Sequence, residues 1–281
     1  MHAKGMWQAH NDGIVLLLAG PRPDNPFFSE KTMSERICCM LLHGYGGSPY
    51  EMEYLGGHLS AQGWAVDRPT LPGHGTTVED FGRTRFTDWS EAVIHRYDRL
   101  CDRYERVFVA GLSMGGSLGL WLARQRALPG LVTVAAPVYV YRFFPYETPD
   151  WRLPFVPVLR RVRPVWRTGS PCSESREIAP WRGYEGVQML DPLHSLLQGL
   201  RELRSGLAEV SSPLLVLHAP GDRTAPVGNA WEIMGAVGSA VRRMELLPIR
   251  ERVTGHHLLT THRETRERVA DAVSSFFQEL I

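Results

Sequence analysis

Arg106-Val-Phe-Val-Ala110 leads through Gly111-Leu-Ser113-Met-Gly-Gly116, and this passage decides the fold. The β-branched and aromatic run predicts a short strand, and a helix is expected from about Met114. The glycines permit a sharp strand-to-helix turn and let neighbouring backbone pass without a Cβ clash, which would lift the Ser113 hydroxyl above the sheet edge. A helix N-terminus beneath that hydroxyl favours developing negative charge. A lone G-x-S-x-G carries little weight; between a strand and a helix it is in the context such a turn needs.

Working outward, strand-like and helix-like runs alternate, the pattern of a mostly parallel sheet with helices on both faces. Ile37-Cys-Cys-Met-Leu-Leu42 is a continuous apolar run stopped by Gly44, Gly46 and Gly47, and reads as a central strand buried on both faces. A helix is expected from Ser48-Pro49 through Leu59, a strand at Trp64-Ala-Val66 and a loop at Leu71-Pro-Gly-His-Gly75. Thr87-Asp88 looks like a helix start, with Ala92, Ile94, Tyr97, Leu100 and Cys101 at roughly helical spacing. Leu131–Ala136 is a further strand. From Pro137 to about Val210 the chain is rich in proline, arginine and tryptophan and has no clean strand pattern, too long for an ordinary loop. It is expected to be an inserted subdomain or lid, residues 137–210, dividing a core made of 1–136 and 211–281. Alternation resumes with a strand at Pro213–Leu217, a helix near Asn229 to Val237, a strand near Met244 to Leu247 and a last helix ending at Ile281.

The 281 residues carry 31 basic and 30 acidic side chains, so bulk charge recruits neither nucleic acid nor an anionic membrane. With 43% hydrophobic and 22% charged residues the chain has an ordinary globular composition. Among the basic residues only Lys4 and Lys31 are lysine. Cys38 and Cys39 are adjacent, and Cys101 and Cys172 stand alone, so neither zinc-ligand nor redox-pair spacing occurs. All four are expected to be buried thiols in a reducing, cytoplasmic compartment. Ile14–Ala19 is apolar but too short for a bilayer and lacks a preceding basic run, so it reads as a strand; no integral membrane segment is expected.

A serine hydroxyl needs a base to take its proton, and the base needs a carboxylate to hold its tautomer. Asp222 follows the Leu214–Leu217 run and lies in a turn into a helix, the position for the acid. His256 lies in Val253-Thr-Gly-His-His257, before the final helix. With 11 histidines in the chain, only the order serine, aspartate, histidine at successive strand ends raises this pair above the background, and residue chemistry does not choose between His256 and His257. Asp191 is a competing carboxylate inside the irregular stretch, expected at the surface or on the lid. The oxyanion would be met by two backbone N–H groups, that of Met114 after the nucleophile and that of Tyr45 in the glycine loop after the first central strand.

Taken together, His43-Gly-Tyr-Gly-Gly-Ser-Pro49, Leu71-Pro-Gly-His-Gly75 with Trp89, Gly111–Gly116, Gly221-Asp222 with Ala225-Pro226, and Thr254-Gly-His256 resemble the α/β-hydrolase family, within it the capped carboxylesterases and monoacylglycerol lipases. The resemblance runs from about Cys38 to the C-terminus. It implies an α/β-hydrolase fold with a cap, the first histidine after the glycine, His256, as catalytic base, and Tyr45 as an oxyanion donor. It implies ester hydrolysis by Ser113, His256 and Asp222 through an acyl-enzyme, with no metal or organic cofactor. The substrate would be a small-molecule ester, its acyl chain apolar, and the protein a monomer or small homo-oligomer. Thioesterases, acyltransferases and carbon–carbon bond hydrolases share this constellation, and a non-catalytic binding protein on the same scaffold is a further alternative. Phe143, Phe144, Trp151, Phe155 and Trp166 are candidates for the pocket wall under the cap.

Overall fold

The computed structural model describes residues 36–144 and 146–281. The expected Ile14–Ala19 strand lies outside the described residues. Six parallel strands form one sheet in the order β10-β9-β4-β3-β1-β2: β1 Ile37–Leu42, β2 Ala65–Asp67, β3 Arg106–Leu112, β4 Leu131–Val134, β9 Leu214–His218 and β10 Arg242–Leu246. Register aligns Leu42 with Gly111, Leu112 with Val134 and Val134 with Leu217, so the C-terminal ends of β1, β3, β4 and β9 open on one edge. Ligand sites of open α/β sheets lie along this edge.

The two-residue period of a strand sorts β1 between two cores. Cys38, Met40 and Leu42 face one cluster, and Ile37, Cys39 and Leu41 the other. On the second face lie α1 (Glu53–Ala61) and α9 (Arg266–Gln278), which bury Leu55, Leu59, Val269, Val273 and Phe277. The first face takes α3 (Phe86–Cys101), α4 (Met114–Ala123) and α8 (Gly228–Ala236). Helix α3 buries Phe86, Trp89, Val93, Tyr97 and Leu100, a stripe rotated from the expected one: Ala92 and Ile94 lie at its margin and Cys101 is exposed. Cys172 is exposed too, so only Cys38 and Cys39 are buried thiols. The short α2, Val78–Arg83, was not anticipated, although Thr77 caps it by accepting the Asp80 N–H at 3.1 Å.

The stretch between β4 and β9 is more regular than its composition suggests. It holds two small antiparallel hairpins, β5 (Arg142–Phe143) with β6 (Tyr146–Glu147) and β7 (Val165–Arg167) with β8 (Val187–Met189). Helices α5 (Val156–Val162), α6 (Ser173–Ile178) and α7 (Leu190–Ser205) complete it. Leucines at 190, 193, 196, 197, 200 and 203 give α7 the helical stripe that proline and arginine on either side obscure. Leu190, Leu193 and Leu197 join Leu153, Val156 and Trp166 in a small separate cluster, while Leu196, Leu200 and Leu203 enter the main core. Asp191 on this helix accepts from Arg160 Nη1 at 2.6 Å and lies 4.0 Å from Arg85 on the other side.

Candidate active site

Ser113 sits where β3 breaks into α4, with φ 52° and ψ −122°, a backbone state that L-residues rarely hold without surrounding support. That support comes from close backbone crossings: a Cβ on Gly116 would lie 2.7 Å from Ala136 Cβ, and one on Gly115 only 2.6 Å from the carbonyl carbon of Leu42. The Ser113 N–H donates to Val134 O at 2.8 Å and ties the turn to β4.

The histidine that meets Ser113 is His257. Its Nε2 is 2.8 Å from Ser113 Oγ, and its Nδ1 is 2.7 Å from Asp222 Oδ2. With Nδ1 protonated toward the carboxylate, Nε2 is left to accept the serine proton. Asp222 is buried, and its Oδ1 accepts the N–H groups of Thr224 at 2.8 Å and Ala225 at 2.9 Å, which fix the carboxylate at the helix-entry turn after β9. Burial of His257 disfavours its imidazolium, but the negative charges of Asp222 and then Glu51 outweigh this and raise its pKa above the ordinary value.

His256, the expected base, is turned away from Ser113. Its Nε2 donates to Glu251 O at 2.8 Å and stands 3.3 Å from Glu251 Oε1. Two constraints set which ring faces the serine. The Arg223 N–H donates to Gly255 O at 2.9 Å, pinning the chain just before the histidines beside the acid's loop. His256 itself is left-handed, φ 56°, and this reversal sends the next side chain over Asp222. Glu251 holds the other limb of the loop by accepting from the N–H groups of Val253 and Thr254, the Thr254 hydroxyl and, at 3.1 Å, His262 Nε2. Burial opposes its ionisation, yet these donors bring its pKa down to about 2.

Met114 directly follows the nucleophile, and Gly44, before Tyr45, packs close to it: a Cβ on Gly44 would lie 3.4 Å from Ser113 Cβ. Met114 is the first residue of α4, so its N–H lacks an intrahelical partner. Around Tyr45 the neighbouring amides are both occupied: Gly44 N–H donates to Glu51 Oε2 at 2.5 Å and Gly46 N–H to His74 Nε2 at 3.0 Å. The Tyr45 N–H between them has no acceptor among the described residues. His43 and His74 form the scaffold beneath. The N–H of Leu71 donates to His43 Nε2 at 3.1 Å, and the two Nδ1 atoms lie 2.9 Å from Gly44 O and 3.1 Å from Pro72 O. Burial lowers their pKa values to about 3 and about 4, keeping both rings neutral and able to accept.

Glu51 was not foreseen. It is 1% exposed, and burial pushes its pKa up to about 7 against the Gly44 N–H and the Trp181 Nε1–H, each of which favours the carboxylate. A carboxylate buried behind a glycine loop leaves no pattern in a sequence; it lies seven positions beyond the amide it binds.

Ser113, His257, Tyr45, Met114 and Glu51 open into a cavity of about 490 Å³. Leu153, Trp166, Leu193 and Leu196 supply apolar wall from the β4–β9 stretch, and Arg152, Arg176, Glu185 and Gln188 supply polar wall. Of the five aromatic candidates only Trp166 lines this cavity, stacked beneath the Arg152 guanidinium at 4.4 Å; Phe143, Phe144, Trp151 and Phe155 are exposed on the outside of the stretch. Arg152 is held by Asp150 and Arg160 by Asp191, so part of the arginine excess forms ion pairs within this stretch. Among the described residues no group of three or more His, Cys, Asp or Glu side chains is arranged to hold a metal ion, and no helix is long and apolar enough to cross a membrane.

A parallel sheet with a serine on the strand-to-helix turn after β3 is the architecture of the alpha/beta hydrolases, and the alpha/beta hydrolase family matches residues 39–272. The chain belongs to this family. A thermostable monoacylglycerol lipase from a Bacillus species is 32% identical to it over 225 residues, covering 78% of this chain and 82% of that protein. A carboxylesterase of Bacillus subtilis is 32% identical over 242 residues, 86% of this chain and 92% of the relative. The crystal structure of a monoacylglycerol lipase from Paleococcus ferrophilus matches 89% of this chain and 97% of its own at 18% identity with a TM-score of 0.72, a likeness of fold.

Proposed function

We propose that this protein is a serine hydrolase of carboxylic esters, of carboxylesterase or monoacylglycerol lipase type. The observation that carries the reading is the hydrogen-bonded line from Ser113 Oγ through His257 to Asp222, opening into a largely apolar cavity. Ser113 Oγ attacks the ester carbonyl as His257 Nε2 takes its proton, and Asp222 stabilises the imidazolium. The tetrahedral oxyanion is met by the N–H groups of Tyr45 and Met114, each worth on the order of 3 kcal/mol in the transition state. His257 returns the proton to the leaving alcohol, and water then hydrolyses the acyl-enzyme by the same path. No metal or organic cofactor enters these steps.

Residues 137–210 act in this reading as the cap over the site, with α7 joining cap and core through its two leucine sets. The apolar wall formed by Leu153, Trp166, Leu193 and Leu196 suits an uncharged acyl chain. The names of the Bacillus relatives support the ester class. Labelling with a fluorophosphonate at near-neutral pH tests the mechanism: a single adduct on Ser113 is expected, with hydrolysis of a short p-nitrophenyl ester abolished in Ser113→Ala. A folded protein that takes no adduct, or a Ser113→Ala variant with wild-type turnover, would refute it.

A further inference from the structure

Glu51 has no part in the reaction just described, yet it is buried within the loop that presents Tyr45. An unpaired buried carboxylate is costly, so its partners indicate what it holds. Its Oε2 accepts the Gly44 N–H at 2.5 Å, and its Oε1 accepts the Trp181 Nε1–H at 2.5 Å. The carboxyl is pressed against the loop backbone: a Cβ on Gly47 would lie 2.7 Å from Glu51 Cδ, and one on Gly44 would lie 3.2 Å from Oε2 and 3.4 Å from Ser113 Cβ. Residues 181–184 meet the same loop twice more. The Tyr184 N–H donates to Gly46 O at 2.9 Å, and the Ser48 hydroxyl donates to Arg182 O at 2.8 Å.

Peptide units on both sides of the Tyr45 amide are thus clamped, by Glu51 at Gly44 and by His74 at Gly46. We infer that Glu51 is a positioning residue that sets the Tyr45 N–H for the oxyanion and ties that setting to the seating of the 181–184 segment. The inference rests on the serine-hydrolase reading. An ionised carboxylate offers an acceptor to each N–H, one per oxygen. Glutamine has the same shape but only one acceptor oxygen, and its NH₂ would face one of the two donors, so Glu51→Gln breaks one contact without opening a cavity. Trp181→Phe removes the Nε1–H donor from the 181–184 side together with part of the indole's volume.

A group that positions an oxyanion donor acts on the transition state more than on bound substrate. The test compares Glu51→Gln and Trp181→Phe with wild type in ester turnover and in inhibition by phenylboronic acid, which forms a tetrahedral anionic adduct on the serine. Fluorophosphonate labelling of wild-type Ser113 comes first; its absence would refute the hydrolase reading itself. With labelling established, Glu51→Gln is expected to lose about 10- to 100-fold in kcat, part of the 10²- to 10³-fold that removing an oxyanion donor costs. KM should stay within about threefold and the boronate inhibition constant should rise in step with the loss in kcat. Trp181→Phe should lose about three- to tenfold with the same signature, the scale of one hydrogen bond. Wild-type kcat in Glu51→Gln, or a loss of kcat with unchanged boronate affinity, overturns the inference. Should Glu51→Gln fail to fold, Trp181→Phe decides alone, and wild-type values for its kcat and boronate affinity would overturn it.

Discussion

Exchanging the two adjacent histidines separates the geometry from the motif. His257→Gln removes the ring that joins Ser113 Oγ at 2.8 Å to Asp222 Oδ2 at 2.7 Å and leaves no base in reach of the serine proton along that line. Loss of the base, together with the orientation Asp222 gives it, is worth about 10⁴-fold in kcat/KM, or about 5 kcal/mol at 1.36 kcal/mol per tenfold step. His256→Asn is the matched change one residue earlier. Asparagine tolerates the left-handed backbone of that position, φ 56°, so the turn survives. What goes is the ring's hydrogen bond to Glu251 O at 2.8 Å, about 1 kcal/mol, or roughly a fivefold effect on turnover if all of it were felt at the site. Hydrolysis of p-nitrophenyl butyrate and the rate of fluorophosphonate labelling read both variants, with thermal unfolding as a check on the fold. The expected result is a near-inactive, unlabelled His257→Gln beside a His256→Asn within tenfold of wild type. Equal losses in the two variants, or a His257→Gln protein within tenfold of wild type, would refute the assignment.

The pH profile should carry the charges around His257. As a base it works only when neutral, and Asp222 and Glu51 hold its pKa above 6.5, so kcat/KM should fall with acid through a midpoint above that value. Glu51, its own pKa pushed up to about 7, carries only part of a negative charge in this range, so replacing it with glutamine should move the midpoint slightly to lower pH; an unmoved midpoint would show that the two groups do not interact. Gly115→Ala should destabilise the fold, because its Cβ would lie 2.6 Å from the Leu42 carbonyl carbon, backbone that cannot swing aside. An overpacking cost of about 3 kcal/mol corresponds to a Tm lower by roughly 6–12 °C. Gly57→Ala, on an exposed part of α1 with nothing within 4 Å of the added Cβ, should leave Tm unchanged or raise it. Melting curves of the pair check this, and a Gly115→Ala protein as stable as wild type would refute the close-crossing argument.

The sheet was legible because its cause is local. Apolar runs of strand length at Ile37–Leu42, Arg106–Ala110 and Leu214–Leu217 are buried on both faces except at Arg106, and a glycine lies near the end of each. Helix α7 was missed although its leucines keep the helical period, because proline and arginine around it masked an otherwise ordinary stripe. Which aromatic groups line the cavity depends on how the β4–β9 stretch packs. Trp166 turns inward, and Phe143, Phe144, Trp151 and Phe155 turn outward.

By itself the sequence determined the alternation of strands and helices outside the β4–β9 stretch, short α2 apart, the serine on its strained turn and the aspartate after β9, each placed by its own few residues. Tertiary structure decided the rest. His256 and His257 are chemically identical, and choosing between them took a hydrogen bond from Arg223 to Gly255 and a left-handed residue, neither of which leaves a trace in the local pattern. Glu51 looks like an ordinary surface carboxylate at a helix start until the chain folds it behind Gly44 and Gly47 and brings Trp181 onto it from 130 residues away. Side-chain direction at a tight turn, and the burial of a charge, are properties of contacts between distant segments, and a one-dimensional pattern does not hold them.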